Sequence, residues 1–358
     1  MVYRMGKIKF SVGYQLIEEG EIFCDIVEKY KNRIEEVYFP WLNLPSGRGP
    51  IAEKSGYINW EAQKQIEYEL RKIKKMGIKL NLLLNASCWG EDSLSIKLAN
   101  LVISIIDYLK ENIEIDSVTA FSPVVAYIIK KNFPEIEVRA SVNMRIGNIR
   151  GMEQVKELFD SFVMQREYNR DFERTEELKE WCEENGKKLS ILVNSGCLNF
   201  CSVQGFHDNV ISHELEVFTK ANIIEDIPGN CWSFYRNTEN WKHLIKDSSW
   251  IRPEDLHYYE RYFDTVKLAT RINSEPEKVI KAYSEEKYDG NLLDLFEPSH
   301  SKIFYPYIIE NSKFPDNWFE KILFCKKNCK DCLYCSEVLN IVLVKKFKKE
   351  EKKWIKKN

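Results

Sequence analysis

The sequence predicts a (β/α)8 TIM-type barrel with a long loop after strand 7 and a cysteine-rich C-terminal extension. Short β-branched runs alternate with amphipathic stretches, the pattern of βα units wrapped around a parallel sheet. Eight such runs precede residue 285. Between the seventh and eighth lie about seventy residues where a standard unit needs roughly thirty, so one loop is enlarged.

In chain order the predicted strands are Lys7–Val12, Glu35–Phe39, Ile78–Leu84, Ser117–Phe121, Glu137–Val142, Ser161–Gln165, Lys188–Asn194 and Thr265–Ala269. The intervening helices fall within Glu21–Tyr30, Trp60–Met76, Leu94–Asn112, Pro123–Asn132, Met152–Phe159, Thr175–Asn185 and Pro276–Tyr283. Gly77 and Gly186 stand where a helix ends, since glycine accepts the left-handed conformation of a C-terminal cap. Periodicity does not count closure, so an open doubly wound sheet is the alternative architecture. The barrel is assigned to 1–284, with a cysteine-containing insert at about 195–250, and the extension to 285–358.

Hydrophobic residues make up 44% and charged residues 30%, enough for a large core and a solvated surface. The net charge of −2 argues against a molecule that binds nucleic acid or membrane over its whole surface. The N-terminal stretch has no apolar run of signal-peptide type, and no run is long enough to span a bilayer. A cytoplasmic protein with no membrane insertion is expected.

Ten cysteines fall unevenly. Cys197, Cys201 and Cys231 form one group inside the enlarged loop, which follows the C-terminal end of a strand, the face that carries barrel active sites. Cys325, Cys329, Cys332 and Cys335 form a second group within eleven residues. Close spacing in a reducing compartment reads as metal binding, with zinc and iron–sulfur both open. His207 or His213 would complete a zinc site in the first group. Cys24, Cys88 and Cys182 are scattered and read as buried thiols. The first three cysteines of the second group match the CxxxCxxC spacing of radical S-adenosylmethionine enzymes. They come late in the chain, however, and Asp331 stands where those enzymes usually have an aromatic residue.

The run Leu192-Val193-Asn194-Ser195-Gly196-Cys197, continuing through Cys201, His207 and His213, resembles the cysteine region of the peptidase U32 family. Trp250-Ile251-Arg252-Pro253-Glu254-Asp255-Leu256, Val266-Lys267-Leu268-Ala269-Thr270-Arg271 and Tyr288-Asp289-Gly290-Asn291-Leu292-Leu293 extend the likeness, which runs from about Lys7 to Leu295. The resemblance implies a barrel-like core. It also implies a [4Fe–4S] cluster on Cys197, Cys201 and Cys231, and oxygen-independent hydroxylation of an RNA base or ubiquinone-like molecule. Other members are labelled collagenase-like peptidases. The spacing here departs from the family's four-cysteine arrangement, so the fourth ligand is open among Cys88, Cys182 and the C-terminal group.

Polar residues at strand ends are candidates for a substrate pocket: Asn85 and Ser87, Ser141 and Asn143, Gln165, Arg166 and Glu167, and Lys267 and Arg271. Arg166 or Arg271 would clamp a carboxylate or phosphate. Trp41 and Trp89 would stack on a ring or simply pack. The tail from Lys345 to Asn358 carries eight lysines, able to make non-specific contacts with RNA.

Three function classes follow. The leading one is an iron–sulfur enzyme with a small-molecule or RNA substrate and an electron donor. The second is a metal-stabilised accessory subunit with a partner protein. The third is a U32-type peptidase.

Overall fold

Each of the eight predicted runs overlaps a strand of a single parallel ring. The computed structural model describes residues 7–47, 59–213, 231–325 and 327–346. The strands are β1 (Lys9–Gly13), β2 (Ile34–Pro40), β3 (Lys79–Leu84), β4 (Ser117–Ala120), β5 (Glu137–Ala140), β6 (Ser161–Val163), β7 (Lys188–Ser190) and β8 (Thr265–Leu268). They hydrogen-bond in the order β7-β6-β5-β4-β3-β2-β1-β8. A parallel bridge between Leu192 and Lys267 joins the two ends. Lys267 N donates to Ile191 O at 2.8 Å and Val193 N to Lys267 O at 3.1 Å, so the barrel closes just past the end of β7. The open-sheet alternative falls.

The helices form where apolar spacing and caps agree. α1 is Phe23–Lys29 and α2 is Trp60–Lys75. In α2, Ala62, Ile66, Leu70 and Ile73 line one buried face, the Asn59 carboxamide accepts from Ala62 N, and Gly77 ends the helix at φ +81°. Ser95 caps α3 (Ile96–Asn112) and Ser122 caps α4 (Pro123–Asn132), where Pro123 costs no hydrogen bond in the first turn. α5 (Ile149–Val155) begins three residues before the predicted start because Asn148 accepts from Gly151 N at 2.9 Å. Asp171 caps α6 (Phe172–Glu184), which Gly186 ends at φ +64°.

The main apolar layer lies between strands and helices. Phe10 and Val12 of β1, Val37 and Phe39 of β2, and Leu80, Leu82 and Leu84 of β3 are fully buried there against Ile66, Leu70, Val102 and Ile106. Each such side chain contributes roughly 1.5–3 kcal/mol. Alternate residues of the same strands point the other way, and Ser11, Glu36 and Asn81 among them are polar.

Residues beyond 284 pack onto the barrel. Trp241 stacks on Phe304 and Trp250 on Phe296. β9 (Tyr307–Ile309) and β10 (Leu343–Lys345) form a small antiparallel pair beside it. Among the described residues no helix is long and apolar enough to cross a membrane. The predicted basic tail beyond Lys346 lies outside the described residues.

Candidate functional site

The C-terminal ends of the strands gather three of the four predicted substrate-binding residues around one backbone turn. The segment after β2 brings Ser46 and Gly47 over the mouth, where both are buried. Gly47 N donates to Asn85 Oδ1 at 3.0 Å. A Cβ on Gly47 would stand 2.7 Å from Asn85 Nδ2 and 2.9 Å from Asn143 Nδ2, so only glycine lets the two carboxamides approach this closely. Arg271, after β8, donates to Ser46 Oγ at 3.2 Å. The fourth residue, Arg166, is buried at 4% exposure on the turn after β6. Its neighbour Glu167 accepts from Phe200 N in the cysteine loop.

That loop is pinned from three sides. Asn194 donates to Ala269 O at 2.7 Å and to Leu295 O at 2.8 Å, and accepts from Ala269 N at 2.7 Å. One buried carboxamide therefore ties β7, β8 and the extension together. Gly196 N donates to Glu297 O, and a Cβ on Gly196 would lie 2.2 Å from Pro298 O, so no side chain fits. His300 Nε2 lies 3.1 Å from Gly196 O, and burial holds its pKa down at about 4.

Cys197 is buried, Cys201 precedes α7 (Gln204–Ser212), and Cys231 opens the helix Cys231–Arg236. Cys197 and Cys201 both lie within electrostatic reach of Cys231. Burial first, then Cys197 and Cys201, pushes the Cys231 thiol up to about 11. Tyr235 is fully buried beside them: burial raises its phenol, and Cys231 and Cys197 add to the shift. Its hydroxyl and that of Ser248 lack a hydrogen-bond partner of ordinary geometry.

The C-terminal cysteines form a separate neighbourhood. Burial, then Cys325, with smaller effects from Cys329 and Cys332, raises Cys335 to about 11. Lys327 N donates to Cys325 Sγ at 3.4 Å from a left-handed residue at φ +55°. Against this group lies Arg170, buried over the Trp250 ring at 4.4 Å. Burial pushes its guanidinium down to about 10, while Cys335 is among the groups that pull it back. Among the described residues no three Cys, His, Asp or Glu side chains stand together as a metal ligand set.

The other predicted residues are dispersed. His207 is exposed on α7, and His213, at its end, lies against Gly90. Cys88 Sγ accepts from Gly90 N at 3.4 Å. Cys24 and Cys182 are buried thiols under α1 and α6. Ser87 hydrogen-bonds Asn209 and Ser212 of α7, and Trp41 packs on Tyr108 at 6.0 Å. Pro228 and Gly229 lie outside the described residues.

Sequence reasoning missed what fills the barrel. Arg139 of β5 donates to both carboxylate oxygens of Glu36 on β2, at 2.7 and 2.9 Å. These strands are not neighbours in the sheet, so the contact crosses the interior. Ser11 also donates to Glu36, while Asn81 bridges Ser117 and Thr119. Lys267 of β8 places its ammonium 3.9 Å from the centre of the Tyr38 ring. The signal was present: strands buried on both faces ordinarily read as continuous apolar runs, whereas these alternate.

Ring closure, the enlarged loop after β7 and the polar mouth define a (β/α)8 barrel with its candidate chemistry on the C-terminal face. No protein-family model matches the chain. It is 31% identical over 344 residues to the uncharacterized protease MJ1657 of Methanocaldococcus jannaschii, spanning 93% of this chain and 96% of that protein. The solved structure of the U32 peptidase Mk0906 is similar at a TM-score of 0.53 and 15% identity, over 75% of this chain and 95% of the other. That second likeness speaks for the fold alone. At 31% identity over 93% of its length, the chain belongs to the same family as the Methanocaldococcus protein, a U32-like one.

Proposed function

We propose that the chain is a barrel enzyme that binds a small polar or anionic substrate at its C-terminal mouth, beside an iron–sulfur cluster held by Cys197, Cys201 and Cys231. The observation that carries this reading is that Cys197 and Cys201 both lie within electrostatic reach of Cys231 on the loop after β7. Thiolates are soft ligands suited to iron–sulfur. The Tyr235 hydroxyl, buried beside Cys231 and Cys197 and facing Ser248, supplies a donor of the kind that cluster sulfur satisfies. No closed ligand set stands among the described residues, so on this reading the thiols draw together on binding, as metal-organised loops do.

A bound cluster would supply electron transfer or substrate activation, suited to oxygen-independent hydroxylation of a nucleobase or small molecule. The chain's own residues do the positioning. Arg271, held on Ser46, offers a cation to an anionic substrate group, and the Asn85 and Asn143 carboxamides orient polar atoms beside it. The second cysteine group is proposed as a separate centre, zinc or [4Fe–4S].

Anaerobically purified protein should absorb at about 400 nm, and Cys197→Ala should remove the share of that band that a Cys332→Ala, Cys335→Ala variant retains. Colourless protein with stoichiometric zinc overturns the reading. A peptidase is the second reading, favoured by the name of the Methanocaldococcus relative. Peptide hydrolysis that persists after metal removal would establish it.

A further inference from the structure

We propose that Lys267 is a nucleophilic amine that condenses with a small carboxylate-bearing aldehyde or ketone entering through the barrel mouth, with Arg271 receiving the carboxylate. Lys267 lies on the interior face of β8, its Nζ 3.9 Å from the centroid of the Tyr38 ring. Arg271 follows on the same segment. Its Cγ and the Tyr38 ring both press on Gly13, where a Cβ would meet them at 2.5 and 2.7 Å. The Lys267 amine and the Arg271 side-chain stem therefore share the neighbourhood of one aromatic ring, and the Arg271 guanidinium reaches on to Ser46 Oγ.

Ion pairing does not occupy the amine. Glu36, the interior carboxylate near it, is engaged by Arg139 through two hydrogen bonds and by Ser11 through a third. Among the described residues no carboxylate stands within salt-bridge distance of Lys267. Lys267 is half-buried, so its side chain is not sealed from solvent. Burial first, then Arg139, pushes the ammonium down to about 7; Glu36 and Glu297 oppose the shift and Arg271 adds to it. Much of the side chain is then a free amine at neutral pH, as imine-forming lysines require.

The step balances without an oxidant or reductant. The Nζ lone pair forms a C–N bond to the carbonyl carbon while the C=O π pair moves to oxygen. A proton passes from nitrogen to that oxygen, and the carbinolamine then loses water to leave the imine. Substrates lacking an electrophilic aldehyde or ketone carbon, such as peptides, are not captured this way.

The test uses the intact chain, glyoxylate as probe and borohydride to fix the imine, read by peptide mass mapping. One dominant adduct on Lys267 is expected, with a labelling midpoint near pH 7. Arg271→Ala should slow glyoxylate labelling roughly tenfold, the worth of one charge-assisted hydrogen bond, while leaving acetaldehyde labelling unchanged. Labelling should persist in Cys197→Ala, which separates this inference from the cluster reading. Adducts spread over surface lysines with Lys267 untouched, in folded wild-type protein, would overturn it. So would equal loss of glyoxylate and acetaldehyde labelling in Arg271→Ala.

Discussion

The two faces of the same eight strands obey opposite rules. Outward residues such as Phe10, Leu82 and Val118 are uniformly apolar and pack under the helices, the ordinary source of stability. Inward residues such as Ser11, Glu36, Asn81 and Arg139 are polar or charged and hydrogen-bond one another, between neighbouring strands and, through Arg139 and Glu36, across the barrel. Barrel interiors are usually filled by layers of branched aliphatic side chains. Here the shell carries the fold, and the interior carries a preorganised field beneath the mouth.

Breaking the interior at its centre should show the largest effect. Arg139→Met leaves Glu36 buried and unpaired and should cost about 4 kcal/mol in urea unfolding. The double variant with Glu36→Leu should recover part of that loss, because Glu36 is no longer stranded while Glu137 loses Arg139 and keeps only Lys188 as an ionic partner. In the shell, Leu82→Ala should cost about 3 kcal/mol by opening a cavity, with little change in the pH dependence of stability.

Acid should strike the interior first. Burial raises the Glu137 carboxyl, but Arg139 and hydrogen bonds from Lys188 and Ser161 outweigh it and bring the pKa down to about 2. A carboxyl lowered on folding stabilises above its ordinary range near 4.5, and that stability is lost as pH falls towards 2. The loss should be on the order of 2–3 kcal/mol, and Glu137→Gln should flatten this limb of the acid titration.

Lys267 supplies an effect of the opposite sign. A lysine lowered from 10.5 to about 7 costs stability at neutral pH, and the cost fades as pH rises to 10.5. Lys267→Met should therefore gain stability at pH 7, with the gain vanishing in strong alkali. A loss at neutral pH would mean that the ammonium is structurally paired.

Much of this was legible before the fold was known. The strands, the capped helices and the loop after β7 followed from periodicity and caps, because βα units are local structures. That Asn85, Asn143 and Arg271 stand at the mouth was legible because barrel strands end at one face. The interior was harder to read. Glu36 and Arg139 are 103 residues apart, and nothing local tells an inward glutamate from a solvated one. Nor did spacing reveal that the two cysteine groups occupy separate neighbourhoods, since that depends on how the extension folds back.

The Asn194 carboxamide gives the order of assembly a physical constraint. It fastens the last seam through Ala269 and gains its remaining acceptor only when Leu295, well past the final strand, has arrived. During synthesis one hydrogen bond of that seam therefore waits for sequence outside the barrel. A chain cut after its eighth strand would retain every strand of the ring and still lack its clasp.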